Sequence, residues 1–453
     1  MKNEFRILAP TAILGYGFPL ASFEAGLAKE PHLIAVDGGS TDPGPYYLGA
    51  GVSFTDRGAV KRDLEIMIRA GVAHGIPVIV GTAGGSGADT HVAWCREIVV
   101  EIATENGLRL KVAQIRSQQD KVMLQAALAK GEITSLEAVP PLTLETLDAT
   151  TDVVAQMGVE PFTEALAEEP DVILAGRAYD PSCFAALPIM RGYDPALSLH
   201  LGKILECAAI AATPGSGSDC MFGTISTDHF RVEPLNPARK CTTLSVAAHT
   251  LYEKSNPYIL PGPGGYLDLT GCTFVQASDN AVRVSGTKFV PSEGYTVKLE
   301  GARPMGYRTV SIAGTRDPIM ISQIDAIVQG VRDRVADNFR ACALDYRLHF
   351  HLYGKNGVMG ALEPSAAAGH ELGIIIEATA PTEAEADTIC ASARSTMLHY
   401  GYEGRRATAG NLAFPYSPSD LRAGLVYEFS VYHLLHIKNP ATIFPVEIEV
   451  IAP

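Results

Sequence analysis

Residues 76–91 read I-P-V-I-V-G-T-A-G-G-S-G-A-D-T-H, and this stretch decides the fold. Residues 76–80 are a short apolar run, rich in β-branched side chains and closed by Gly81, which is how a strand buried on both faces reads. After the glycines, Val92, Cys95, Val99 and Ile102 recur at i, i+3, i+7 and i+10, the spacing of one buried helix face. A buried strand, a glycine-rich turn and an amphipathic helix make one repeating unit of a parallel sheet.

The unit recurs on both sides. Apolar runs over 5–9, 33–36, 110–115 and 172–175 read as further strands, with helical patterns between them, one carrying Lys61, Arg62, Asp63 and Glu65 on its polar side. The alternation predicts an α/β fold: an N-terminal doubly wound, mainly parallel sheet with helices on both faces. An Ala-rich helix is expected over 197–212. Residues 256–306 are rich in Gly, Pro, Thr and Val and read as a β-rich connecting segment. From 307 the order becomes strand, helix, strand, strand, helix, strand, the pattern of a smaller α+β domain of the ferredoxin-like, split βαβ type. The close, 444–451, alternates apolar residues with Glu447 and Glu449 and reads as an edge strand. The expected organisation is thus 1–255, 256–306 and 307–453, the last serving as an interface between copies.

The 453 residues are 47% hydrophobic and 19% charged, the composition of a globular chain rather than a disordered one. A net charge of −14 argues against nucleic acid or an anionic membrane as partner, since both are held by clustered Lys and Arg. No run approaches the roughly 18 apolar residues of a membrane span. Glu4 and Arg6 interrupt the start, so no secretory signal is expected, and eight cysteines without a close-spaced framework suit a cytoplasmic setting.

In an open parallel sheet, ligands bind beyond the carboxyl ends of the strands. Four consecutive strand ends here carry Asp, Arg or Ser, three of them together with Gly. Asp37, after the second strand, is a candidate acid/base, or else the cap of the Gly38-Gly39 turn; Ser40 follows it as a candidate substrate contact. The Gly84-Gly85-Ser86-Gly87 loop offers backbone N–H groups to an anion, or is a tight turn before a helix. It fits neither the dinucleotide fingerprint nor the phosphate-binding loop, so no nucleotide fingerprint is present and the cofactor is left open. Arg116 and Arg177 suit a carboxylate clamp, or ion pairs with a loop acid such as Asp180. Asp180 is itself a candidate proton carrier. Glu206 stands in an apolar run, where a carboxyl needs a partner or a raised pKa. His91 is a reserve acid/base or a structural histidine, and Cys207 is a buried structural cysteine unless a depressed pKa makes it a nucleophile. His349 with His351, and His249 with Glu253, have metal-like spacing but no third ligand; a divalent metal is left open and no metal residue is assigned.

The same residues carry a resemblance. G-R-A-Y-D-P-S (176–182), H-L-G-K-I-L-E-C-A (200–208), L-Y-E-K-S-N-P (251–257), K-L-E-G-A-R-P-M-G-Y-R (298–308) and G-T-A-G-G-S-G-A-D (81–89) resemble the acyclic terpene utilisation (AtuA) family over nearly the whole chain. The resemblance implies catabolism of small, branched acids, and it carries over no cofactor. The leading expectation is a lyase, hydratase or isomerase acting on a branched or dicarboxylic acid, or its CoA thioester, by proton transfer next to a carbonyl. The alternatives are a hydrolase of thioester, lactone or amide bonds, and a non-catalytic ligand-binding or assembly protein. A homo-oligomer formed through the C-terminal half is expected.

Overall fold

Five strands, Phe5–Ala9, Leu33–Asp37, Val78–Gly81, Val172–Ala175 and Leu110–Ile115, lie side by side and parallel in that order. The structure is a computed structural model that describes residues 4–136 and 138–453. Alternate side chains of these strands enter two cores, because successive residues point to opposite faces. Ile34, Val36, Val78 and Val80 pack with the helices Arg57–His74 and Asp89–Asn106. Leu33, Ala35, Ile79 and Ile173 pack on the other face with Phe184, Leu201 and Leu205 of the helices Ser182–Met190 and Pro195–Leu205. The fold is α/β, with helices on both faces of the sheet.

The chain steps through the first three strands, skips a place to Leu110–Ile115, and later fills the gap with Val172–Ala175. The ends of the second, third and fifth strands are therefore neighbours, and the fourth is set one place out. Antiparallel strands extend this parallel centre. Met221–Ile225, Phe230–Pro234, Val282–Ser285 and Thr273–Gln276 continue it beyond Phe5–Ala9, and Val446–Ile451 pairs with Leu110–Ile115 at the other edge. Ile259–Gly262, Gly265–Asp268 and Lys288–Pro291 form a separate small sheet.

The chain divides into two compact units, one running to Arg303 and including Phe429–Pro453, the other Pro304–Glu428. The segment 256–303 thus belongs to the first unit, since two of its strands prolong the large sheet. The closing 429–453 also groups there, for Val446–Ile451 is an edge of that same sheet. In the second unit, Arg347–Tyr353 pairs with Leu372–Ala380, which pairs with 307–315 of the long strand Tyr295–Thr315, followed in strand order by Asp420–Ile437. That is the ferredoxin-like order. The helices Ile324–Phe339 and Glu383–Leu398 cover it through a core that includes Ile327, Val331, Ile374, Ile376 and Ile389.

Candidate functional site

Asp37 closes the second strand, and the loop after it is shaped by backbone contact. A Cβ on Gly38 would stand 2.3 Å from the Thr82 carbonyl oxygen, so only glycine lets this loop lie against the end of the third strand. Gly38 N–H donates to the Gly81 carbonyl at 2.8 Å. The chain then turns through Ser40 (φ 50°) and Thr41 (φ 62°), two non-glycine residues in the left-handed region, with Thr82 (φ 46°) beside them. Such conformations cost about 1–3 kcal/mol each and persist where surrounding contacts enforce them. One such contact is Thr41 N–H donating to the Gly85 carbonyl at 2.8 Å.

The turn carries the Ser40 hydroxyl between two carboxyl groups. Ser40 Oγ lies 2.9 Å from Asp37 Oδ2 and 2.6 Å from Asp180 Oδ1. A hydroxyl has one proton to donate, so it serves one carboxylate and accepts from the other. For both contacts to be hydrogen bonds at once, one of the two carboxyls has to carry a proton. The electrostatics agree. Burial, then the charge of Asp180, push Asp37 up to about 7, against the opposing bonds from Ser40 and Gly39 and the charge of Arg177. Asp37 and Ser40 are buried, whereas the Asp180 side chain is 27% exposed. Asp180 is the member of this trio that meets solvent.

Arg177 organises the other side. Its Nη1 donates to Asp180 Oδ1 at 2.9 Å, and its Nε donates to Glu300 Oε2 at 2.6 Å. Lys298 Nζ lies 2.6 Å from Glu300 Oε1. Burial raises the Glu300 carboxyl, but Arg177 and Lys298 outweigh it and hold it down at about 2. Arg177 is thus committed to two acids of the protein. The turn that presents it is closely packed: a Cβ on Gly87 would stand 2.1 Å from Arg177 N, and Ser117 Oγ accepts from Arg177 N–H at 2.6 Å while donating to the Gly87 carbonyl at 2.8 Å.

Glu206 caps the end of the helix Pro195–Leu205 and is 6% exposed. Its Oε1 lies 2.5 Å from Lys203 Nζ, and its Oε2 has no partner. Burial drives its pKa well above the ordinary value; Lys203 opposes, and the charges of Asp180 and Asp37 add to the rise. Glu206 is therefore in electrostatic reach of the same cluster.

The remaining sequence candidates lie differently. His91 Nε2 is bonded to the carbonyls of Tyr47 and Val52 at 3.2 and 2.9 Å, and burial lowers its pKa. It ties the 47–52 segment to the helix start. The N–H groups of Gly85, Ser86 and Gly87 donate to carbonyls of Thr82 and Ala83 within their own loop. Gly84 (φ 66°) packs against His91, so the loop is scaffold rather than an open anion cradle. Arg116, at the end of the outlying fourth strand, pairs with Asp89 and Glu447, each at 3.1 Å. Cys207 Sγ is 3.3 Å from Tyr252 OH, and burial pushes the thiol up to about 12, unlike an activated nucleophile. Among the described residues no group of three or more His, Cys, Asp or Glu is arranged to hold a metal ion. His351 bonds Glu377 at 2.9 Å instead.

Lys203, Lys298 and Glu300 escape the sequence reading. The available signal was charge at apolar spacing: Lys298 and Glu300 alternate with Val297 and Leu299 on one strand, and Lys203 precedes Glu206 by three on one helix face.

The molecule is an α/β protein whose adjoining parallel strand ends bring Asp37, Asp180 and Arg177 together beside the buried Glu300. Its sequence matches the acyclic terpene utilisation family protein AtuA over residues 57–220 and 236–419, and the chain belongs to that family. No curated protein and no solved structure matches it. Among the described residues no helix is long and apolar enough to cross a membrane.

Proposed function

We propose that this chain is an enzyme of small-acid catabolism, a lyase, hydratase or isomerase, that moves a proton next to the carbonyl of an acid or its CoA thioester. The observation that carries the reading is the Ser40 hydroxyl held between the Asp37 and Asp180 carboxyls, an arrangement suited to sharing one proton. Asp180 meets the substrate, Ser40 relays, and Asp37 holds the proton behind them. A carboxyl near 7 is matched to acid/base work at neutral pH, since it both gives and takes a proton readily. Arg177 keeps Asp180 oriented, and Glu206 is the second proton carrier. The hydrolase reading through Cys207 lacks a thiolate.

Proton exchange tests this whichever full reaction the enzyme completes. Wild-type protein in D2O, given a panel of small acids and their CoA thioesters, incorporates deuterium at the carbon beside the carbonyl, read by mass spectrometry. Asp180→Asn lowers that rate at least 100-fold, in the range typical for a general acid/base. An absence of exchange across the panel, or an unchanged rate in the variant, refutes the reading.

A cytoplasmic setting belongs to the proposal, supported by eight free thiols. So does a homo-oligomer: Ile448 and Val450 stand exposed on the edge strand Val446–Ile451, which needs covering.

A further inference from the structure

Next to the acidic cluster, Tyr179 and Ser182, which flank Asp180-Pro181 in sequence, line a second feature, a cleft of about 260 Å³. Leu199, Ile189, Leu260 and Phe289 line it, and the hairpin of Ile259–Gly262 and Gly265–Asp268 covers it. The hairpin backbone lies on the Tyr179 ring, because a Cβ on Gly262 would come within 2.8 Å of it. Two polar atoms of this lining have no partner: Tyr179 OH and Ser182 Oγ, on residues 9% and 0% exposed. A buried hydroxyl without a partner is costly, which marks a place where a ligand's polar atom completes the bonding. Among the described residues, none lining the cleft is cationic, and its one acid, Glu160, accepts from Tyr295 OH at 2.7 Å.

We infer that this cleft holds the uncharged aliphatic chain of the substrate whose carbonyl end reaches Asp180, with Tyr179 and Ser182 donating to an oxygen of that end. The inference rests on the proton-transfer reading of Asp180 and narrows it. An apolar wall without a cation accepts a monocarboxylic acyl chain and rejects a dicarboxylic one, since a second carboxylate would be buried without a partner beside Glu160. A cavity near 150 Å³ takes a six-carbon ring, so 260 Å³ corresponds to roughly ten non-hydrogen atoms. An eight-carbon acyl chain fits. Each methylene buried there strengthens binding about fourfold.

The experiment is calorimetric titration of the wild-type protein with butanoate, octanoate and octanedioate, and with the CoA thioesters of the two monoacids, alongside deuterium exchange on the thioesters. The expected result is that octanoate or octanoyl-CoA binds at least tenfold more tightly than its four-carbon counterpart and at least tenfold more tightly than octanedioate. In Ile189→Trp the eight-over-four preference falls to near one, with Leu260→Trp as the second variant should the first not fold. Equal binding of octanedioate, a preference untouched by both tryptophans, or no binding of any eight-carbon probe overturns the inference. Chain-length-dependent binding without exchange sinks the proton-transfer reading and leaves the cleft assigned. Exchange on butanoyl-CoA with no dependence on chain length does the reverse.

Discussion

At the scale of single residues, the site is governed by where protons reside, and two acids respond to pH with opposite signs. The folded pKa of Asp37, about 7, lies above that of an unfolded aspartate, 3.8. Its contribution to stability is therefore complete below pH 4 and is lost as pH rises through 7. Asp37→Asn places an amide donor where the carboxyl proton would sit. At one pKa unit per 1.36 kcal/mol, this variant gains about 2–4 kcal/mol over wild type at pH 8 and little at pH 4, measured by urea unfolding at both. The same gain at the two pH values would disprove the assignment. Glu300 behaves the other way: held at about 2, below its ordinary 4.5, it stabilises the fold above pH 4.5, and that stability goes as pH falls towards 2. Glu300→Gln at pH 7 leaves the buried Arg177 short of charge, and a loss of about 3–5 kcal/mol is expected in the same assay.

At the scale of elements, the site is a matter of how closely loops approach. Gly38 and Gly75 separate two roles of glycine. Gly38 is required by space, with Thr82 O at 2.3 Å from a built Cβ, whereas Gly75 (φ 65°) has nothing within 4 Å and ends the helix Arg57–His74 by conformation alone. Gly38→Ala is expected to cost about 2–4 kcal/mol and to abolish deuterium exchange by parting the loops. Gly75→Ala should cost about 1 kcal/mol and leave exchange intact. If thermal unfolding shows equal costs, loop contact is not what holds Asp37 in place. This packing also explains how much the sequence discloses. Strands buried on both faces leave unmistakable apolar runs, so the parallel centre and the loops bearing Asp37, Ser40, Arg177 and Asp180 are visible by position. Strand order is not visible. Alternation alone does not tell that Val172–Ala175 inserts beside Val78–Gly81, and so Arg116 looks equivalent to Arg177 although its strand lies one place further out. Glu300 comes from a strand more than 100 residues beyond the loop it neutralises, a pairing that no local pattern announces.

At the scale of the whole molecule, the first unit is completed by chain that returns late: Val446–Ile451 seals one side of the large sheet and in doing so exposes its own far edge, with Val450 53% exposed. A second copy is expected to cover that edge. Light scattering at micromolar concentration should give the mass of two chains, and Val450→Lys should shift it towards one, since a charge on an edge strand blocks pairing. A wild-type monomer would rule the oligomer out. The proposed chemistry requires one proton shared between Asp37 and Asp180 at neutral pH, and the most direct test is carboxyl ¹³C NMR of aspartate-labelled protein across pH 4–9. One aspartate signal is expected to titrate near 7 and to be absent in Asp37→Asn. If Asp37 and Asp180 are both fully ionised at pH 6, with no carboxyl titrating above 5, the shared proton does not exist and the proposed chemistry falls with it.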